Sequence, residues 1–156
     1  MANHELSKAE WLDKCEAFCA RAEHCAADVR RKLYEWGAPE HLPNENGRIV
    51  SLWQEIENSL YKNGFLDDAR FCAAYVHDKV EYQSWGRVKI QASLHALQLP
   101  ESEICNAIKN IDESVYFDNL RKLACTRKTD PEDKRIRFLL QRGFTYEEIK
   151  SNVRSI

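Results

Sequence analysis

The chain has 156 residues, of which 44% are hydrophobic and 31% charged, with a formal net charge of −2. Such a composition predicts a folded protein rather than a disordered one, and such a charge argues against a protein that coats nucleic acid along its whole surface. No apolar run approaches the ~20 residues a membrane span requires. The opening Met1-Ala2-Asn3-His4-Glu5-Leu6 lacks the basic and apolar stretches of a signal peptide, so a cytoplasmic protein is expected.

In chain order, the first helical stretch carries Trp11 and Phe18. The six cysteines (Cys15, Cys19, Cys25, Cys72, Cys105, Cys125) form no Cys-x-x-Cys pair and are expected to be reduced and mostly buried. Cys15 and Cys19 stand one helical turn apart with His24 and Cys25 nearby, but no second pair exists to complete a zinc site, so no metal is expected. Arg30, Arg31 and Lys32 precede Leu33-x3-Gly37, and the stretch Pro39–Gly47 reads as a loop. Leu52, Trp53, Ile56 and Leu60 then show helical spacing, which makes Trp53 a core residue.

Gly64 suits the left-handed residue that closes a helix, with Phe65 folding back on the last turn. Asp67 follows as an N-cap, with Leu66 and Phe71 spaced as a hydrophobic staple. Phe71, Tyr75, Val76 and Val80 continue at helical spacing. Trp85 sits in a loop before Gly86-Arg87-Val88-Lys89 and is the tryptophan most open to exposure; the others suit the core better than base stacking. Asp130-Pro131 reads as a capping carboxylate with proline at the first helical position, and Thr145 with Glu148 as a capping box. The four prolines (39, 43, 100 and 131) all fall between helical runs, and no segment alternates at period two over a convincing length.

A repeat emerges from this order. Leu139-x3-Gly143-Phe144-x4-Ile149-x3-Val153 matches Leu94-x3-Gln98-Leu99-x4-Ile104-x3-Ile108 in spacing, and Leu33-x3-Gly37-Ala38 opens a stretched copy. An aromatic helix precedes each copy: Trp11 and Phe18, then Phe71 and Tyr75, then Tyr116 and Phe117. The expected architecture is all-α, with three tandem three-helix units spanning 1–66, 67–112 and 113–156 and stacked into an elongated, curved array. A compact bundle with coincidental similarity is the alternative.

Charge is uneven along the chain. Residues 1–28 carry a net −3, residues 113–156 a net +3, and Arg121–Arg142 a net +5. Bases recur at one place in each unit: Arg30, Arg31 and Lys32, then Arg87 and Lys89, then Lys134, Arg135 and Arg137, with Arg142 a further candidate on the third. In a stacked array they would form one line, suited to a phosphate backbone or an acidic strip on a filament; a solvated helix face explains them equally well. Arg70 has two readings, a partner-facing arginine or a local ion pair with Asp67 or Asp68. Asp67 and Asp68 point about 100° apart on a helix and do not form a catalytic carboxylate pair. No phosphate-cradling glycine loop, glycine-flanked serine or His-Glu-x-x-His pattern is present, and the five histidines are scattered.

Several of these strings resemble the RecX family of RecA regulatory proteins. They are Cys19-Ala20-Arg21-Ala22-Glu23-His24-Cys25 with Val29-Arg30-Arg31-Lys32-Leu33, then Gly64-Phe65-Leu66-Asp67-Asp68-Ala69-Arg70-Phe71 with Tyr75-Val76 and Lys79. Gly86-Arg87-Val88-Lys89-Ile90 and Leu139-x2-Arg142-Gly143-Phe144 follow. Order and spacing agree over roughly residues 18–154. The resemblance implies three tandem three-helix units and a regulator that lies in the groove of the RecA–single-stranded DNA filament. It further implies inhibition of recombinase, ATPase and co-protease activity in DNA repair and the SOS response, with no catalytic site, no cofactor, and a monomer as the working form. Two departures stand out: Gln98 replaces the family's usual glycine, implying another route to end that helix, and the basic positions are diluted. The competing readings are a stand-alone DNA-binding helical protein and a generic helical-repeat adaptor.

Overall fold

The computed structural model describes residues 4–154. Met1–Asn3, read above for a leader, and Ser155–Ile156, at the end of the last expected unit, lie outside the described residues. These comprise nine α-helices and one hairpin: α1 Lys8–Arg21, α2 Ala26–Glu35, β1 His41–Pro43, β2 Ile49–Ser51, α3 Leu52–Lys62, α4 Asp68–Glu81, α5 Arg87–Ala96, α6 Glu101–Lys109, α7 Glu113–Thr126, α8 Glu132–Gln141 and α9 Tyr146–Asn152. The all-helical expectation holds apart from the hairpin. The chain divides into two compact units that meet within α4, between Phe71 and Cys72.

In the first unit, α1, α2 and α3 close over Trp11, Cys15, Val29, Leu33, Leu52, Ile56, Leu60 and Leu66. Trp53 packs against this cluster only partly buried, one position off the Leu52–Ile56–Leu60 stripe. Ser7 caps α1 through a capping box with Glu10, and Ser51 accepts from Gln54 N–H at the start of α3. The stretch expected to be a loop, Pro39–Gly47, holds β1 and most of the turn of an antiparallel hairpin that β2 completes beyond it, with Leu42 opposite Val50. Its turn is closed by the Asn44 side chain, whose Oδ1 accepts from the N–H groups of Asn46 and Arg48, each at 3.0 Å. Strands of three residues, with only Leu42 buried, leave no readable alternation.

In the second unit, Ile90, Leu94, Leu99 and Ile104 are buried along α5 and α6. The last three helices close over Tyr116, Leu120, Ala124, Leu139, Phe144, Ile149 and Val153. A fully buried leucine contributes about 1.5–3 kcal/mol, which is why Leu33, Leu94 and Leu139, at most 5% exposed, anchor each copy of the repeat.

Those leucines also carry the repeat in their backbones. Ala38 N–H donates to Leu33 O (3.0 Å), Leu99 N–H to Leu94 O (3.3 Å) and Phe144 N–H to Leu139 O (3.3 Å). Each six-residue closure needs a left-handed residue just before its donor. Gly37 and Gly143 supply it at φ +73° and +100°, and Gln98 takes the same conformation at φ +62°. The α5 helix therefore ends by the common route and not by a different one. Pro100 is the N-cap residue of the following helix. Pro131 is likewise the N-cap of α8 rather than its first helical residue, and Asp130 makes ion pairs with Arg127 and Lys134 rather than a cap.

Candidate functional site

The bases singled out from sequence fall into two groups, those that hold the fold together and those that face solvent. Arg70 belongs to the first group. Its Nε donates to Glu23 Oε1 at 2.5 Å and its Nη2 to Gly64 O at 3.1 Å, while Asp67 lies at 4.0 Å and caps the helix by accepting from Arg70 N–H. Arg70 thus satisfies a carbonyl left open at the end of α3 and ties it to the end of α1. Its main anionic partner is Glu23, 47 positions away, rather than either adjacent aspartate.

Arg87 is also structural. Its guanidinium pairs with Glu148 (3.2 Å) and Glu113 (3.4 Å) and lies 4.2 Å from the centre of the Tyr116 ring. Its backbone N–H donates to Tyr116 Oη at 3.0 Å. Burial raises the pKa of that phenol above its ordinary value, so it stays protonated while accepting. Gly86, the N-cap of α5, has no side chain to satisfy the helix's first donors. They are satisfied instead by Tyr116 and by Gly143 O, which accepts from Val88 N–H at 3.0 Å. Arg142 completes this seam by donating from Nη2 to Gln83 O, while Gly86 N–H donates to Arg142 O at 2.8 Å. Arg135 is only 9% exposed.

The solvent-facing group is larger. On α2, Arg30 lies 5.8 Å from the Trp53 ring, Arg31 reaches Asp28 and Glu35, and Lys32 pairs with Glu35. Lys89 stacks 4.2 Å over Trp85, which also receives Lys79 at 4.5 Å; Trp85 is half-covered rather than open. On α8, Lys134 approaches Asp130 at 3.8 Å and Arg137 is exposed.

Sequence reasoning left Arg121, Lys128 and Arg154 out of the candidate set. They meet Arg135 around a cavity of about 390 Å³ among α7, α8 and the end of α9, floored by Ala124 and Val153. Among the described residues no carboxylate lines it. Arg121 on α7 and Lys128 just beyond its end, both within the basic run, offered a signal; Arg154, outside that run, offered none.

The thiols divide in the same way. Cys15, Cys25 and Cys72 are buried, whereas Cys105 and Cys125 are exposed, contrary to a mostly buried set. Burial pushes the Cys15 thiol up to about 12, and those of Cys19 and Cys25 up to about 11. No helix among the described residues is long and apolar enough to cross a membrane.

Comparison with known proteins places these features in a family context. Residues 67–108 match the family model of the second three-helix domain of RecX. The chain is 25% identical over 150 residues to the regulatory protein RecX of Escherichia fergusonii, covering 91% of this chain and 89% of that one. It is 31% identical over 149 residues to the regulatory protein RecX of Clostridium tetani, covering 88% and 65%. The crystal structure of RecX from Lactobacillus salivarius shares the fold at a TM-score of 0.70 and 17% identity, over 92% of each chain.

Proposed function

The chain belongs to the RecX family of regulatory proteins, and on that premise we propose that it binds the RecA–single-stranded DNA filament and inhibits its recombinase, ATPase and co-protease activities in DNA repair and the SOS response. It acts in the cytoplasm as a monomeric binding protein, without chemistry of its own. The likeness to RecX relatives over about nine-tenths of the chain is the observation that carries this reading.

The physical part of the proposal is a division of labour among the bases. Arg70, Arg87, Arg135 and Arg142 maintain the fold, whereas Arg30, Arg31, Lys32, Lys134 and Arg137 present charge outward to the partner. A regulator of this kind needs only a higher affinity for one filament state than for the others. Exposed cations favour a surface bearing acidic side chains or phosphates and speed encounter with it, in a salt-dependent way.

Co-sedimentation with preformed RecA filaments tests the assignment. The wild-type chain should pellet with the filaments, and K134E/R137E should pellet several-fold less at low salt. A variant that remains folded and pellets as the wild type does would remove these two residues from the interface.

A further inference from the structure

The cavity among α7, α8 and the end of α9 is the place where charge, shape and chemistry converge outside the seam already described. Arg121, Lys128, Arg135 and Arg154 line it, and among the described residues no aspartate or glutamate does. The same chain carries a net charge of −2, so four cations with no carboxylate among the described lining residues depart from its general composition. Asp118, outside the lining, pairs with Arg121 at 2.5 Å and offsets part of its charge, so the lining is net positive through Lys128, Arg135 and Arg154 as well.

The lining selects among anions. Two of the lining cations besides the largely buried Arg135, namely Arg121 and Arg154, are guanidinium groups, whose forked donors match the several oxygens of a phosphate and can bind it in two-point fashion. The floor of Ala124 and Val153 is apolar, so the cavity also offers a surface for a sugar or base edge beside the charge. At about 390 Å³ it has room for a nucleotide unit rather than for a bare ion alone.

We propose that this cavity seats one phosphodiester unit of single-stranded nucleic acid, with Arg121, Lys128 and Arg154 on the phosphate and the Ala124–Val153 floor against the sugar or base. The inference rests on the filament reading for its biological setting, since the filament presents such a strand.

Two native cysteines provide the test without any labelling mutation. Cys125 lines the cavity and is exposed, while Cys105, also exposed, lies on α6 away from the lining. Maleimide modification of the whole chain is followed at each cysteine by peptide mass spectrometry, with a short oligothymidylate and no recombinase present. At ten times the dissociation constant, mass action leaves about a tenth of the sites open, so Cys125 should react about tenfold more slowly while Cys105 keeps its rate. In K128E/R154E the protection should vanish, and the salt slope of binding should fall by about 0.7, the contribution of the one phosphate seated there. Unchanged Cys125 reactivity, equal protection of both cysteines, or equal protection by an oligoglutamate of matched charge would overturn the inference. Because no recombinase is present, any of these results leaves filament binding standing, and a failure of filament binding leaves this test intact.

Discussion

The backbone of Gly143 fills the space that a side chain on Gly86 would need. A Cβ built on Gly86 would lie 2.1 Å from Gly143 C and 2.3 Å from Phe144 N, and one on Gly143 would lie 2.5 Å from Lys89 Cβ. The contact is what lets Gly143 O reach Val88 N–H and Arg142 O reach Gly86 N–H. The α5 start and the α8–α9 turn therefore behave as one piece. Gly86→Ala should lose more than about 3 kcal/mol in urea unfolding, because the obstacle is backbone and cannot rotate away. Gly47→Ala, with nothing within 4 Å and only its φ of +73° to strain, should lose about 1 kcal/mol. Equal losses at the two sites would contradict the docking account.

Gln98 supports the opposite substitution. It holds φ +62° at the end of α5, where a Cβ is unfavourable by about 1–2 kcal/mol. Gln98→Gly should raise stability by about 0.5–1 kcal/mol after the greater flexibility of the unfolded glycine is counted. A lower urea midpoint for the glycine variant would mean that the Gln98 side chain contributes more than its backbone strain removes.

Arginine substitutions should separate by role. Arg87→Ala removes a pair with Glu148, whose side chain is only 15% exposed, together with the stacking on Tyr116, and should destabilise by about 2 kcal/mol. Lys134→Glu with Arg137→Glu touches exposed positions and should stay within about 0.5 kcal/mol of wild type. Alanine at Arg135, Arg137 and Arg142 together would mix the two effects, since Arg135 is buried and Arg142 holds Gln83 O. Urea unfolding of the three variants checks this order.

Alkaline pH should loosen the first unit. Cys15, Cys19 and Cys25 have folded pKa values raised from 9.0 to about 12, 11 and 11 by burial, so the folded state binds their protons more tightly than the unfolded state. That stability is complete below pH 9 and is lost as pH rises from there towards 11–12. Burial shifts the Tyr61 phenol upward as well, with its hydrogen bond to Asp68 acting in the same direction. Denaturant midpoints measured at pH 8 and pH 10.5 should fall at the higher value; equal midpoints would contradict the burial of these thiols.

Much of this fold is local chemistry and so could be read from sequence. Gly64, Asp67, Thr145 and Glu148 act within one helical turn of themselves, and their capping roles follow from residue type and spacing. The Leu33, Leu94 and Leu139 repeat is likewise a spacing of apolar residues. What escaped is non-local or carried by backbone. Arg70 finds Glu23 across 47 positions, and Gly86 meets Gly143 through atoms that every residue shares. The basic residues were visible as a charge run, but burial alone divides Arg135 from Arg137, and burial is a property of the packed helix. Gln98 escaped because propensity favours glycine at a left-handed position, and packing around Leu94 and Leu99 overrode it.

The most direct measurement is single-stranded-DNA-dependent ATP hydrolysis by the cognate RecA, titrated with this chain at two salt concentrations. The account predicts inhibition at protein concentrations well below those at which the chain binds DNA alone, weakened by K134E/R137E and by added salt. Unimpaired hydrolysis beside salt-sensitive binding of the chain to bare DNA would contradict it, and would make the protein a stand-alone DNA binder on the RecX fold.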